Sequence, residues 1–106
     1  MYAGEDFVQT TPNEVRALSF DFEDAFVTGD NIAIATWSCG VAVDSPLPDP
    51  NAASHIGAPI LNNLHIATAT LQQCLSGVRY VIRCIATASS GQKAEFESYI
   101  NCNERI

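Results

Sequence analysis

Apolar and polar residues alternate along most of this chain, and this alternation restricts the folds that it can adopt. In the first such segment, which begins at Val15, one side of an extended strand carries Leu18, Phe20 and Phe22, and the other side carries polar residues. No window of about eleven or more residues shows helical periodicity with caps, so we expect little helix. Short alternating strands separated by Gly, Pro, Asp and Ser turns are typical of an antiparallel two-sheet sandwich.

Further segments continue this pattern. Residues 32–43 are rich in β-branched and small residues, and residues 64–71 alternate with Leu64 and Ile66 on one face. Residues 80–86 form one more strand, whose outer positions Val81 and Ile85 predict that it is central and covered on both faces. Residues 89–92 make a hairpin into the closing strand. The predicted core residues are Phe20, Phe22, Trp37, Tyr80, Ile82, Cys84 and Phe96.

Two segments are predicted to lie outside the strands. Residues 44–59 hold four of the five prolines, so neither a helix nor a central strand is expected to persist there, and we interpret them as a long surface loop. Residues 1–13 are interpreted as an extended arm, and residues 14–106 as a single β-sandwich domain. Both segments are candidate docking elements, because strand edges, extended arms and stiff loops can bind other subunits. The candidate docking residues are Phe7, Val8, Pro46, Pro48 and Pro50.

The charge of the chain argues against polyanionic partners. Five basic and twelve acidic residues give a formal charge of −7, which repels phosphate and makes a nucleic-acid groove unexpected. Arg79 and Arg83 would point the same way on a strand, and we interpret them as solvated surface side chains. The first residues contain no basic flank and no apolar run, so neither a signal peptide nor a membrane span is expected, and synthesis should be cytoplasmic.

The residues that catalysis or metal binding would need are few. His55 and His65 have no Cys, Asp or Glu at metal-like spacing, and we expect His55 to be exposed and His65 to lie at a sheet edge. The cysteines are Cys39, Cys74, Cys84 and Cys102, and in a reducing compartment they are expected to be buried thiols. Cys39 and Cys84 could approach each other across the sandwich. The carboxylates, Asp44 and Asp49 included, are interpreted as a solvated acidic surface, so we expect no enzyme and no cofactor.

The turn before Tyr80 carries a resemblance. Gly77 precedes Tyr80 by three residues, as in the turn that leads into a late strand of immunoglobulin-like or fibronectin type III-like sandwiches, which the chain resembles here. The resemblance implies that the ring of Tyr80 packs in the core. It also implies that the Tyr80 hydroxyl bonds a backbone group a few residues upstream.

The order of several further motifs is similar to a family of small tailed-bacteriophage proteins described as fiber-tail adaptors or neck proteins. The motifs are TPNE at 11–14, LSFDF at 18–22, TGDNI at 28–32, ATW at 35–37, LSG at 75–77, Tyr80 and TASSGQ at 87–92. The resemblance implies a virion structural protein at the head-to-tail junction, present in several copies as a homo-oligomeric ring. Its partners would be neck, portal-proximal, tail or fiber subunits, and it implies no catalytic residues.

Two other functions stay open at this point. A small acidic sandwich with an arm could equally act as a capsid-cementing or decoration protein of a phage head. A free carbohydrate-binding module is the alternative from another class, although such sites usually display exposed aromatic rings, and Trp37 is predicted to be buried.

Overall fold

The computed structural model describes residues 7, 9–22, 25–26, 31–63 and 65–103, which fold almost entirely into strands and turns. Within these residues there are six strands and one short 3-10 helix. The strands are β1 (Arg16–Asp21), β2 (Ile32–Val41), β3 (Ile56–Asn63), β4 (Ile66–Leu71), β5 (Val78–Ala88) and β6 (Lys93–Cys102), and the 3-10 helix is Ala52–His55.

The strands form two antiparallel sheets of three strands each. One sheet has the order β1-β4-β3 and the other has the order β2-β5-β6. In chain order these positions correspond to strands B-E-D and C-F-G of an immunoglobulin-like sandwich. The predicted all-β fold of two stacked antiparallel sheets is therefore confirmed.

The core between the sheets is aromatic and contains the predicted residues. Phe22, Tyr80, Ile82 and Cys84 are fully buried, Phe20 is nearly so, and Trp37 and Phe96 are half-buried against them. The ring of Phe20 stacks on Trp37 at 5.4 Å between centroids, and Phe22 stacks on Phe96 at 4.7 Å. These pairs join β1 to β2 and the end of β1 to β6, so they fasten one sheet to the other.

The side chains of β4 show how the core accommodates these rings. Ala67, Ala69 and Leu71 are its buried residues, whereas Ile66 lies half-buried on the outer face. Ala67 pairs with Phe20, so a small side chain lies beside a large one. Leu64, which the sequence groups with Ile66, lies outside the described residues.

Two predictions about the strands are wrong. Residues 56–59, which were assigned to the surface loop because of its prolines, belong to β3, which runs from Ile56 to Asn63. This strand lies at the edge of its sheet and its register shifts on both sides of Pro59, so the missing N–H of proline is tolerated. The second error concerns β5, which is central as predicted but is not covered on both faces, because Arg83 and Ile85 are exposed on its outer side.

The cysteines also differ from the prediction. Cys74 and Cys102 form a disulfide that joins the turn between β4 and β5 to the end of β6, so these two are not thiols. Cys39 and Cys84 are free and buried, as predicted. However, they lie on neighbouring strands of one sheet, where Cys84 is opposite Trp37, and not across the sandwich from each other.

The segment before β1 runs along β6. The N–H of Phe7 donates to the carbonyl of Tyr99 (2.9 Å), and the N–H of Thr10 donates to the carbonyl of Asn101 (3.0 Å). Thr10 forms a parallel bridge with Cys102. The division into an arm of residues 1–13 and a domain of residues 14–106 stays a prediction.

Candidate docking surface

The loop of residues 42–55, which connects β2 to β3, covers the end of the sandwich where β5 begins. Pro46, Pro48 and Pro50 are exposed along this loop. Val43 is fully exposed, and Leu47 and Leu75 are about half exposed. We call this set of residues the loop-end surface: Val43, Pro46, Leu47, Pro48, Pro50 and Leu75. Exposed apolar side chains grouped in this way are typical of contact sites.

A buried carboxylate beneath the loop-end surface holds the loop in place. The side chain of Asp49 is 1% exposed, and its Oδ2 atom lies 2.7 Å from Nε2 of His55. The hydroxyl of Tyr80 donates to the same Oδ2 atom at 2.7 Å, and the N–H of Asn51 donates to Oδ1 at 2.9 Å. An ionised carboxylate only accepts hydrogen bonds, so we assign the proton of the His55 bond to Nε2.

Tyr80 connects this carboxylate to the turn before β5. Its ring is fully buried, and its hydroxyl accepts a hydrogen bond from the N–H of Leu75 at 2.8 Å. The ring of His55 packs edge-on against the ring of Tyr80 at 5.8 Å. The expectation from the immunoglobulin-like resemblance is therefore confirmed, and the tyrosine holds the loop of residues 42–55 as well as its own turn.

The electrostatics of the cluster favour a charged Asp49. Burial alone would raise the pKa of this carboxyl group. The hydrogen bonds from Tyr80, Asn51 and His55 more than offset burial, and the net result is a lowered pKa. Burial, together with the bond to Asp49, raises the pKa of Tyr80. Asp49 is thus a charged acceptor in contact with three hydrogen-bonding partners, Asn51, His55 and Tyr80.

Backbone contacts fix the first half of the loop against β5. The N–H of Ala42 donates to the carbonyl of Arg79 (2.8 Å), and the N–H of Arg79 donates to Oγ of Ser45 (3.0 Å). The Ser45 hydroxyl in turn donates to the carbonyl of Leu47 (2.7 Å). Leu47 also packs over Gly77, where an added Cβ would lie 2.7 Å from Leu47 Cδ1. A proline-rich loop is thereby ordered without any regular strand.

The two free cysteines, Cys39 and Cys84, are poorly suited to act as nucleophiles. A nucleophilic cysteine must reach the thiolate form, but burial and the charge of Asp49 raise the pKa of Cys39 to about 12. Burial raises the pKa of Cys84 to about 12 as well. Both oxygens of Asp49 are already occupied by donors. The effect of the cluster is to fix a loop that presents apolar side chains.

The structure corrects two expectations about these residues. His55 was expected to be exposed, and Asp49 was expected to belong to a solvated surface, but both are buried. Neither residue carries a sequence signal of burial, because the two are six positions apart in a proline-rich segment. The available signal was Tyr80, whose hydroxyl at a buried position requires a hydrogen-bond partner.

The second histidine lies away from the loop-end surface. Nδ1 of His65 is 2.8 Å from Oδ1 of Asp21, at the junction between the end of β1 and the start of β4. That sheet has β4 in its centre, so His65 does not lie at the edge that the sequence predicted. In the part of the chain that the structure describes, no three His, Cys, Asp or Glu side chains are grouped to hold a metal ion.

The candidate docking residues near the N-terminus have a different setting. Phe7 is half-buried, and its ring lies 5.4 Å from that of Phe20, so it contributes to the core. Val8 lies outside the described residues. The three prolines of the loop lie exposed, and their contribution to docking stays a prediction.

Comparisons with known proteins do not add a relative. No protein-family model, curated protein or solved structure matches this chain. Among the described residues, no helix has the length and apolar character needed to cross a membrane.

Proposed function

We propose that this chain is a structural protein of a tailed-phage virion, a multi-copy adaptor at the head-tail neck or the fiber attachment region. It acts by docking to other proteins through the loop-end surface. The observation that carries the proposal is the buried cluster of Asp49, His55 and Tyr80, which fixes an irregular loop whose outward side chains are apolar.

The ordering of the loop supports a role in binding. Immobilising a flexible, rotamer-rich side chain at an interface costs about 0.5–1.5 kcal/mol, and ordering a loop costs more. Here Pro46, Pro48 and Pro50 restrict the backbone before any partner arrives, and Asp49 holds the segment between them. The binding free energy is then not reduced by the cost of folding the loop.

The charge of the surface indicates the chemistry of the partner. Asp44 lies beside Val43 with its side chain 72% exposed, and Oδ1 of Asp44 is 3.4 Å from Nε of Arg79. The chain as a whole carries a formal charge of −7. A partner with an apolar centre and a neutral or basic rim complements this surface, whereas nucleic acid and anionic membranes do not. Neck, portal-proximal, tail or fiber subunits are the proposed partners.

The disulfide is compatible with a protein that leaves the cytoplasm in which it is made. Disulfides persist in secreted proteins and on virion surfaces, and they are rare in the reducing cytosol. The Cys74–Cys102 bond therefore favours an oxidising environment as the final location of the protein. Location on a released particle, after synthesis in the host cytoplasm, meets that condition.

A cryo-EM map of the tailed particle whose genome encodes the chain tests the proposal. We expect density for several copies of the sandwich around the portal vertex, with residues 43–50 at the contact. Density on the capsid lattice would decide for a cementing or decoration protein instead. Specific retention of the purified chain on a glycan array, without density in the particle, would decide for a carbohydrate-binding module.

Substitutions separate docking from folding in the same system. Leu47→Asp places a charge on the loop-end surface and should prevent incorporation of the chain into particles. Gln92→Asp adds the same charge at the exposed β5–β6 hairpin, at the other end of the sandwich, and should be incorporated normally. Equal incorporation of both folded variants would contradict docking through the loop end.

A further inference from the structure

The outer face of the β2-β5-β6 sheet presents an isoleucine that a regular strand would bury. Ile32 packs against the core, and two residues later Ile34 would lie on the same side of an unbroken strand. The register of β2 shifts between these two residues, and Ala35 takes the next buried position. Ile34 therefore points outward and is 62% exposed. Register irregularities of this kind occur at sheet edges and next to functional sites, where they redirect a side chain.

A second isoleucine lies beside Ile34. Ile34 pairs with Thr87 and Ile85 pairs with Thr36, so the two isoleucines are diagonal neighbours on adjacent strands. Ile85 is 40% exposed. They form a small apolar patch near the end of the sheet where the β5–β6 hairpin lies, because Ile34 is in the same cross-strand row as Thr87 and Lys93. We call this side of the sheet the outer sheet face and define it by the outward residues of β2, β5 and β6.

The outer sheet face is not acidic, unlike the rest of the chain. Its outward charged residues are Arg79, Arg83, Lys93, Glu95 and Glu97, which give a formal charge of +1. Two basic and ten acidic residues remain elsewhere in the chain, a formal charge of −8. Two copies that approach through this face therefore keep most of their like charges apart.

Opposite charges are already interleaved on this face. Nε of Arg83 donates to Oε2 of Glu97 at 2.7 Å, and Glu95 lies opposite Ile85 on the neighbouring strand. A surface of mixed sign can meet a second copy of itself without a net repulsive field, which a uniformly acidic face cannot do.

The dimensions of the face indicate a weak interface. Three strands of ten to eleven residues span about 34 Å by about 14 Å, at about 3.4 Å per residue and about 4.8 Å per strand. The flat area of about 500 Å² is below the roughly 800 Å² per partner of a standard interface. Association should therefore depend strongly on concentration.

We propose that the outer sheet face is a self-association interface and that its occupant is a second copy of this chain. Ile34 and Ile85 form its apolar patch, and the mixed charges of β5 and β6 lie beside that patch. This inference does not depend on the phage assignment or on the loop-end surface, because it concerns the purified chain alone.

Sedimentation velocity of the full oxidised chain over a concentration series tests the proposal. We expect a reversible shift from monomer to dimer as concentration rises. Ile85→Glu and Ile34→Glu should each raise the dissociation constant by at least about tenfold, because each buries a charge in the apolar part of the contact. Val15→Glu is the matched control. Val15 is an apolar residue outside this face, and its exposure of 63% nearly equals the 62% of Ile34.

Two further arms keep the test decisive. Lys93→Glu changes only an exposed side chain at the start of β6, so it should leave folding intact and still weaken association several-fold. Added salt should strengthen association, because it screens the repulsion between the acidic remainders of the two copies. A chain that stays monomeric at every concentration and salt level overturns the proposal. So does a Val15→Glu effect equal to that of Ile85→Glu, or an association that salt weakens.

Discussion

Removal of one oxygen atom, in Tyr80→Phe, tests the importance of the buried cluster. The hydroxyl accepts from the N–H of Leu75 at 2.8 Å and donates to Oδ2 of Asp49 at 2.7 Å. Phenylalanine keeps the buried ring, so the packing of the core is little changed. A neutral hydrogen bond contributes about 1 kcal/mol, and a bond to a charged group about 1.5–3 kcal/mol. The free energy of unfolding should therefore fall by about 2.5–4 kcal/mol.

Urea denaturation measures this loss. With a slope of about 2 kcal/mol per molar urea, a loss of about 3 kcal/mol lowers the midpoint by about 1.5 M, with the slope unchanged. Tyr99→Phe is the control, because it removes the same atom from a half-buried tyrosine of β6 whose ring lies 4.6 Å from the guanidinium of Arg79. We expect the control to lose less than about 1 kcal/mol. Equal losses for the two variants would refute the reasoning.

Three other perturbations have defined outcomes. Cys74 and Cys102 are 28 residues apart, so reduction of their disulfide should lower the free energy of unfolding by about 3.5 kcal/mol, because the unfolded chain regains loop entropy. Urea denaturation with and without reductant measures this loss. The lowered pKa of Asp49 adds stability that is complete above the unfolded pKa of about 3.9 and is lost as pH falls through the folded pKa. Asp49→Asn should therefore be less stable at neutral pH and lose less stability on acidification, as melting temperatures against pH will show. Gly77→Ala should cost about 1–3 kcal/mol in the same urea assay, because Gly77 has φ +88° and its Cβ would approach Leu47.

The predictable part of the fold is the part with strong local patterning. Leu18, Phe20 and Phe22 alternate with polar residues, and the same period places Tyr80 and Ile82 in the core. In both strands one face is buried, so a period of two is enough to predict which side chains point into the core.

The rest depended on tertiary context. Pro59 excluded a central strand but not an edge strand, and only the sheet order distinguishes the two. The pairing of Cys74 with Cys102 follows from how β6 ends beside the β4–β5 turn, which spacing along the chain does not specify. The burial of Asp49 likewise depends on a partner, Tyr80, that lies 31 residues away.

The contacts that involve Cys74, Tyr80 and Asp49 are related in position. The disulfide begins in the β4–β5 turn at Cys74, the Tyr80 hydroxyl bonds the N–H of the next residue, Leu75, and Asp49 accepts from that hydroxyl. A covalent bond, a backbone hydrogen bond and a buried carboxylate thus constrain the same end of the sandwich, directly beneath Leu47 and Leu75. Such constraints lower the entropy that a partner must remove on binding. For the proposed docking function, weakening them should therefore reduce the affinity for the partner even when every exposed side chain is unchanged.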